Sequence, residues 1–179
     1  MFLLACWGSQ RHFVLQLCLC RNGRLNYAKE LAKYINVDIY GACGSKRCPR
    51  ASANKCFSLL DKDYKFYLAF ENSNCKDYIT EKFFVNGLGY SELLFLVSGD
   101  KNMECFRHDI LPIAMGARLS DYEKVSPYKS FLHVDQFAGP RELAAYLHKL
   151  DKDDQAYNQY FQVRQAGVML VLSMHFPSH

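Results

Sequence analysis

The chain has no stretch of about 18 to 20 apolar residues, which excludes an encoded transmembrane helix. The opening MFLLACWG carries a short apolar run without a basic flank, and so makes a poor signal peptide. No long run of like charge occurs. The formal net charge of +4 comes from 22 basic and 18 acidic residues, and the only basic cluster, Lys46, Arg47, Arg50 and Lys55, reads as a solvated loop. Nucleic acid is therefore not expected as a partner. Cys-x-x-C pairs are absent, which argues against a structural zinc site. The six histidines are scattered, and none stands with Ser or Cys in a nucleophile motif. No catalytic triad and no metal site are read from this chain.

Half of the 179 residues are hydrophobic and 15% are aromatic, enough for one ordinary domain with a sizeable core, or for one half of a two-domain enzyme. Eight cysteines, at 6, 18, 20, 43, 48, 56, 75 and 105, lean towards an oxidising compartment and disulfide formation, with connectivity open.

The most informative stretch is 64–89, YKFYLAFENSNCKDYITEKFFVNGLG. A short aromatic-rich apolar run over 65–70 predicts a buried strand. Glu71 and Asn72 sit at its end, Ser73, Asn74, Lys76 and Asp77 form a polar loop, and Ile79, Phe83, Phe84 and Leu88 recur at helical spacing. A strand, polar loop and helix in an open α/β sheet place the loop and the helix N-terminus where ligands bind, outside the carboxyl ends of the strands. Glu71, Asn72, Tyr78, Glu81 and Lys82 fall in that crevice. A plain solvated loop is the alternative.

A second unit of this kind precedes it. Phe13 to Leu19 can form a strand, Arg21-Asn22-Gly23-Arg24 a basic turn, and Leu25, Ala28, Leu31, Ala32 and Ile35 a helix. Such a basic loop suits a phosphate or is simply surface charge. Strands are expected over 37–40, 110–116 and 131–134, a loop with a short helical turn over 117–129, a helix opening at Gly139-Pro140 with Leu143, Leu147 and Leu150 on one face, and another over 154–162. Two Asp-x-Asp triplets, at 61–63 and 151–153, can be read as cation ligands but fit polar punctuation better.

The segment FENSNCKDYITEKFF resembles the donor-binding signature of the α1,3-fucosyltransferases, glycosyltransferase family 10, in which F-E-N is followed by Y-[IV]-T-E-K. The basic R-N-G-R turn and the Y-G-A-C-G segment are similar to that family too. The resemblance, of the core-type enzymes, implies an α/β fold: a Rossmann-like open parallel sheet with flanking helices, the C-terminal donor-binding half of a GT-B glycosyltransferase. It implies GDP-fucose as donor, inverting transfer of fucose to a GlcNAc-containing glycan or glycoprotein acceptor, a Golgi lumenal setting, and no tightly bound cofactor or required divalent metal. Arg21 and Lys82 would face the diphosphate, Tyr78 and Glu81 sugar hydroxyls, and Glu71 and Asn72 would orient the donor. The catalytic general base is expected in a separate N-terminal domain, as is the membrane anchor, so the chain alone should turn over poorly. A non-catalytic nucleotide-binding module is the alternative.

On this reading residues 21–162 form the GDP-fucose-binding domain, 1–20 and 163–179 are atypical flanks, and 90–109 reads as an insertion from altered splicing or an imperfect gene structure. That segment puts roughly twenty residues where such connections take about two to six.

Overall fold

The computed structural model describes residues 2–6, 22–41, 44–46, 63–89 and 110–162. Five strands make one sheet: β1 (Phe2–Cys6), β2 (Val37–Gly41), β3 (Phe66–Phe70), β4 (Leu111–Met115) and β5 (Leu132–His133). The spatial order is β2-β1-β3-β4-β5 and every pairing is parallel. This is a doubly wound order, with its switch point between β1 and β3. The register there is short, two residue pairs, Phe2 with Phe66 and Leu3 with Tyr67, against five pairs between β3 and β4 from Phe66 with Leu111 to Phe70 with Met115.

Helices α1 (Arg24–Leu31), α2 (Glu81–Phe84), α3 (Leu119–Val125), α4 (Pro140–Lys152) and α5 (154–162) flank the sheet. The period of two in β3 divides its side chains between two cores. Phe66, Leu68 and Phe70 pack with Ala28 and Leu31 of α1, Leu143, Leu147 and Leu150 of α4, and Tyr157 of α5. Tyr67 and Ala69 pack with Phe83 of α2, Tyr122 of α3 and Phe131. Both faces being covered explains why all five residues of β3 are buried and why the strand reads as a continuous apolar run.

Most expected elements lie where the sequence puts them. The expected 65–70, 37–40 and 110–116 strands appear as β3, β2 and β4, and the Leu143, Leu147 and Leu150 stripe is buried on α4, which Pro140 opens. One strand is added and two expected elements differ in length. The first observed strand is β1 at Phe2–Cys6, while the candidate strand over 13–19 lies outside the described residues, as do Cys43, Cys48, Cys56 and the 90–109 segment. The short helical turn expected within the 117–129 loop is a seven-residue helix, Leu119–Val125, packed through Tyr122, whose ring meets Phe83, Phe131 and His133 at 4.8, 5.8 and 5.2 Å between centroids. The helix expected from Ile79 to Leu88 is only one turn, Glu81–Phe84, followed by a turn.

The Asp-x-Asp triplet at 151–153 is polar punctuation. Asp151 pairs with Lys65 at 3.3 Å and Asp153 accepts the Ala156 N–H at 2.9 Å, opening α5. In the other triplet Asp63 is exposed, and Asp61 and Lys62 lie outside the described residues.

Candidate functional site at the end of β3

The loop after β3 stands at the carboxyl edge of the sheet beside the switch point. Glu71 continues the strand, its N–H donating to the Met115 carbonyl at 2.8 Å. Its side chain is wholly buried. The Thr80 N–H donates to Glu71 Oε1 at 2.7 Å, and the Thr80 hydroxyl lies 3.0 Å from Oε1 and 2.8 Å from Oε2. A carboxylate in this position would be costly without such partners. Room for it comes from Gly116, where a Cβ would lie 2.7 Å from the Glu71 Cβ.

Thr80 is also the N-cap of α2, its hydroxyl oxygen 3.4 Å from the Lys82 N–H. The Lys82 ammonium is 3.1 Å from Thr80 Oγ1, 3.5 Å from Glu71 Oε2 and 3.3 Å from Glu81 Oε1, with the side chain only 12% exposed. Glu81 is two-thirds exposed. Burial would raise its carboxyl pKa, but the Lys82 charge and hydrogen bonds from its own backbone, Lys82 and Thr80 hold it below the ordinary carboxylate range. Asn72 is exposed and Tyr78 half-buried, both on the same loop.

The loop is braced from two directions. Asp77 takes a left-handed backbone, φ 57°, which Asp tolerates. Its N–H serves the buried Asp121 carboxylate of α3, and this bond, with those from Lys124 and the Arg118 N–H, outweighs the burial that would raise the Asp121 pKa and holds it low. On the other side the Asn22 amide donates to the Glu71 carbonyl at 2.6 Å, and Arg24 Nη1 to the Phe70 carbonyl at 3.1 Å. The R-N-G-R turn is thereby joined to the end of β3.

Of the six residues expected at a donor site, Asn72, Tyr78, Glu81 and Lys82 share one loop and its helical turn. Glu71 lies among them with its carboxylate turned inward to Thr80. Arg21 lies outside the described residues, beside Asn22. Sequence reading passed over Thr80, Asn22 and Gly116. The threonine three residues before a phenylalanine pair, followed by Glu81, is the one usable sign, a helix N-cap.

An open parallel α/β sheet with a polar, charge-bearing loop at its switch point is a doubly wound fold, in which the crevice outside the strand ends is where ligands bind. The sequence profile described as "Glycosyltransferase family 10 (fucosyltransferase) C-term" matches residues 9–106 and 98–176. The chain is 57% identical over 150 residues to glycoprotein 3-alpha-L-fucosyltransferase A of Drosophila melanogaster, covering 84% of this chain and 26% of that protein. It is 34% identical over 147 residues to alpha-(1,3)-fucosyltransferase fut-1 of Caenorhabditis elegans, covering 82% of this chain and 29% of that one. A crystal structure of an alpha1,3-fucosyltransferase superposes with a TM-score of 0.58 at 20% identity, over 90% of this chain and 36% of the other, and shares its fold. The chain belongs to the glycosyltransferase family 10 fucosyltransferases. It spans under a third of the length of these two curated relatives.

Proposed function

We propose that this chain is the donor-binding half of an inverting α1,3-fucosyltransferase that takes GDP-fucose and serves transfer to a GlcNAc-containing glycan or glycoprotein. The observation that carries the reading is the loop after β3, where Asn72, Tyr78, Glu81 and Lys82 gather at the switch point of a parallel sheet. In transfer, the bond from the fucose anomeric carbon to the diphosphate breaks while the acceptor oxygen attacks the opposite face. Negative charge grows on the leaving GDP, and the cations Lys82 and Arg21 are the groups of this chain suited to stabilise it. Tyr78 and Glu81 would meet sugar hydroxyls, and Asn72 would orient the donor. Removal of the acceptor proton needs a general base, and on this reading an acidic residue of an N-terminal domain would supply it. The donor domain would comprise residues 21–162 together with β1 at Phe2–Cys6, which lies inside the same sheet, and 90–109 would be an insertion in it.

A Golgi lumenal setting is part of the same proposal. Eight cysteines in 179 residues support an oxidising compartment. Among the described residues no helix is long and apolar enough to cross a membrane.

The test is GDP binding by the purified chain, followed by thermal unfolding. Free GDP at about a hundred times its Kd should stabilise the fold by about 2.7 kcal/mol. With GDP-fucose and a GlcNAc-terminated glycopeptide, these residues alone should give little product. Absence of any response to GDP overturns the donor assignment.

A further inference from the structure

Glu71 presents an unusual arrangement for a residue at the mouth of a ligand site. Its carboxylate has no exposed surface, yet its partners reach the surface in one step. The Thr80 hydroxyl has a single proton, and with oxygens of Glu71 at 2.8 and 3.0 Å that proton points to the carboxylate. Its lone pairs then face the other way, where the Lys82 ammonium stands at 3.1 Å and the Lys82 N–H at 3.4 Å. The direction of every donor is fixed: Lys82 to Thr80, Thr80 to Glu71. The far end is immobile too, since Glu71 is tied through its N–H to Met115 and through its carbonyl to Asn22, with Gly116 against its Cβ.

We propose that Glu71 and Thr80 are positioning residues, a buried clamp that holds the Lys82 ammonium in one place at the edge of the site. This rests on the reading that Lys82 meets the donor diphosphate. A free lysine has a flexible four-carbon stem and gives up about 2 kcal/mol of rotamer freedom when it is fixed on a ligand. Here that freedom is already lost before any ligand arrives. A buried carboxylate is weak evidence for stability, because a well-packed apolar residue would serve a core equally well or better. Its use is to set where the cation sits. Glu81, the third group on Lys82, is two-thirds exposed, whereas Glu71 is wholly buried.

The experiment is calorimetric titration of the full 179-residue chain with GDP and, separately, with guanosine, which lacks the diphosphate. Lys82→Met should weaken GDP at least tenfold and leave guanosine unchanged. Glu71→Gln and Thr80→Val should each weaken GDP about tenfold, the scale of coupling within one hydrogen-bond network, again sparing guanosine. Thr80→Ser, which keeps the hydroxyl, should restore GDP affinity. In the Lys82→Met background, Glu71→Gln should cost no further GDP affinity. Equal losses for GDP and guanosine, or an additive loss in the double variant, overturn the clamp and leave the donor reading standing. Unchanged GDP affinity in Lys82→Met overturns the diphosphate role of Lys82, and the clamp with it.

Discussion

Gly116 and Glu71 are in contact across neighbouring strand ends, so close that a Cβ on the glycine would come within 2.9 Å of the glutamate Cγ and 3.1 Å of the Tyr122 hydroxyl. Neither neighbour has room to give, since Glu71 and Tyr122 are both wholly buried. Gly116→Ala should therefore destabilise the chain by about 1–3 kcal/mol, the usual cost of overpacking. It should also weaken GDP binding, because the glutamate it displaces anchors Thr80 and Lys82. Urea unfolding and GDP titration of the same variant measure the two effects.

Asn22 ties the R-N-G-R turn to β3 through one 2.6 Å bond to the Glu71 carbonyl. Asn22→Ala should cost about 1 kcal/mol in stability, as a typical side-chain hydrogen bond. If Arg21 meets the diphosphate, its register depends on that tie, and GDP affinity should fall together with stability. Unaltered GDP affinity in both Asn22→Ala and Arg21→Ala would remove the basic turn from the site.

His133 is buried, with Nε2 3.1 Å from the Ala117 carbonyl and Nδ1 accepting the Asp135 N–H at 3.2 Å. This pairing defines the neutral ring with its proton on Nε2. Burial lowers its pKa, against the raising effects of Asp135, the Ala117 carbonyl and Glu123. An unfolded histidine takes up a proton near pH 6.5, whereas the folded one resists until lower pH. The contribution is therefore complete above about pH 6.5 and is lost as the pH falls toward the folded value. Unfolding free energy measured between pH 7.5 and pH 5 should decline. His133→Gln should flatten that slope.

Leu147 on α4 is fully buried in the core shared with Phe66, Leu68 and Ile113. Leu147→Ala should cost about 2–5 kcal/mol, read from denaturant midpoints. On the opposite face of the same helix, Lys149→Ala, an exposed change, should lie within about 0.5 kcal/mol of the parent.

The elements that periodicity revealed are those whose burial is written in the local sequence. The β3 run and the leucine stripe of α4 are both of this kind, because apolar residues recur there at the spacing of the element itself. Helix α3 was expected only as a short helical turn, because its packing rests on Tyr122 meeting the rings of Phe83 and Phe131, which lie outside the helix in the chain. At the site, sequence order put Asn72, Tyr78, Glu81 and Lys82 on one loop, since they are neighbours in the chain. It could not show which way Glu71 turns. That depends on Gly116, 45 positions later, leaving space behind it, and on Thr80 supplying donors from inside.

The unequal zippering of the sheet has a mechanical consequence. β1 and β3 share only two paired residues at their first ends, so beyond Leu3 and Tyr67 the two strands run on without each other's hydrogen bonds. The sheet behaves there like a partly opened seam, joined at the bottom and parted toward the edge that carries the polar loop. On the β3 side the five pairs with β4 keep the flap stiff, and on the β1 side the five pairs with β2 do the same. The short β1–β3 pairing therefore lies between two fully paired strand pairs, β2 with β1 and β3 with β4.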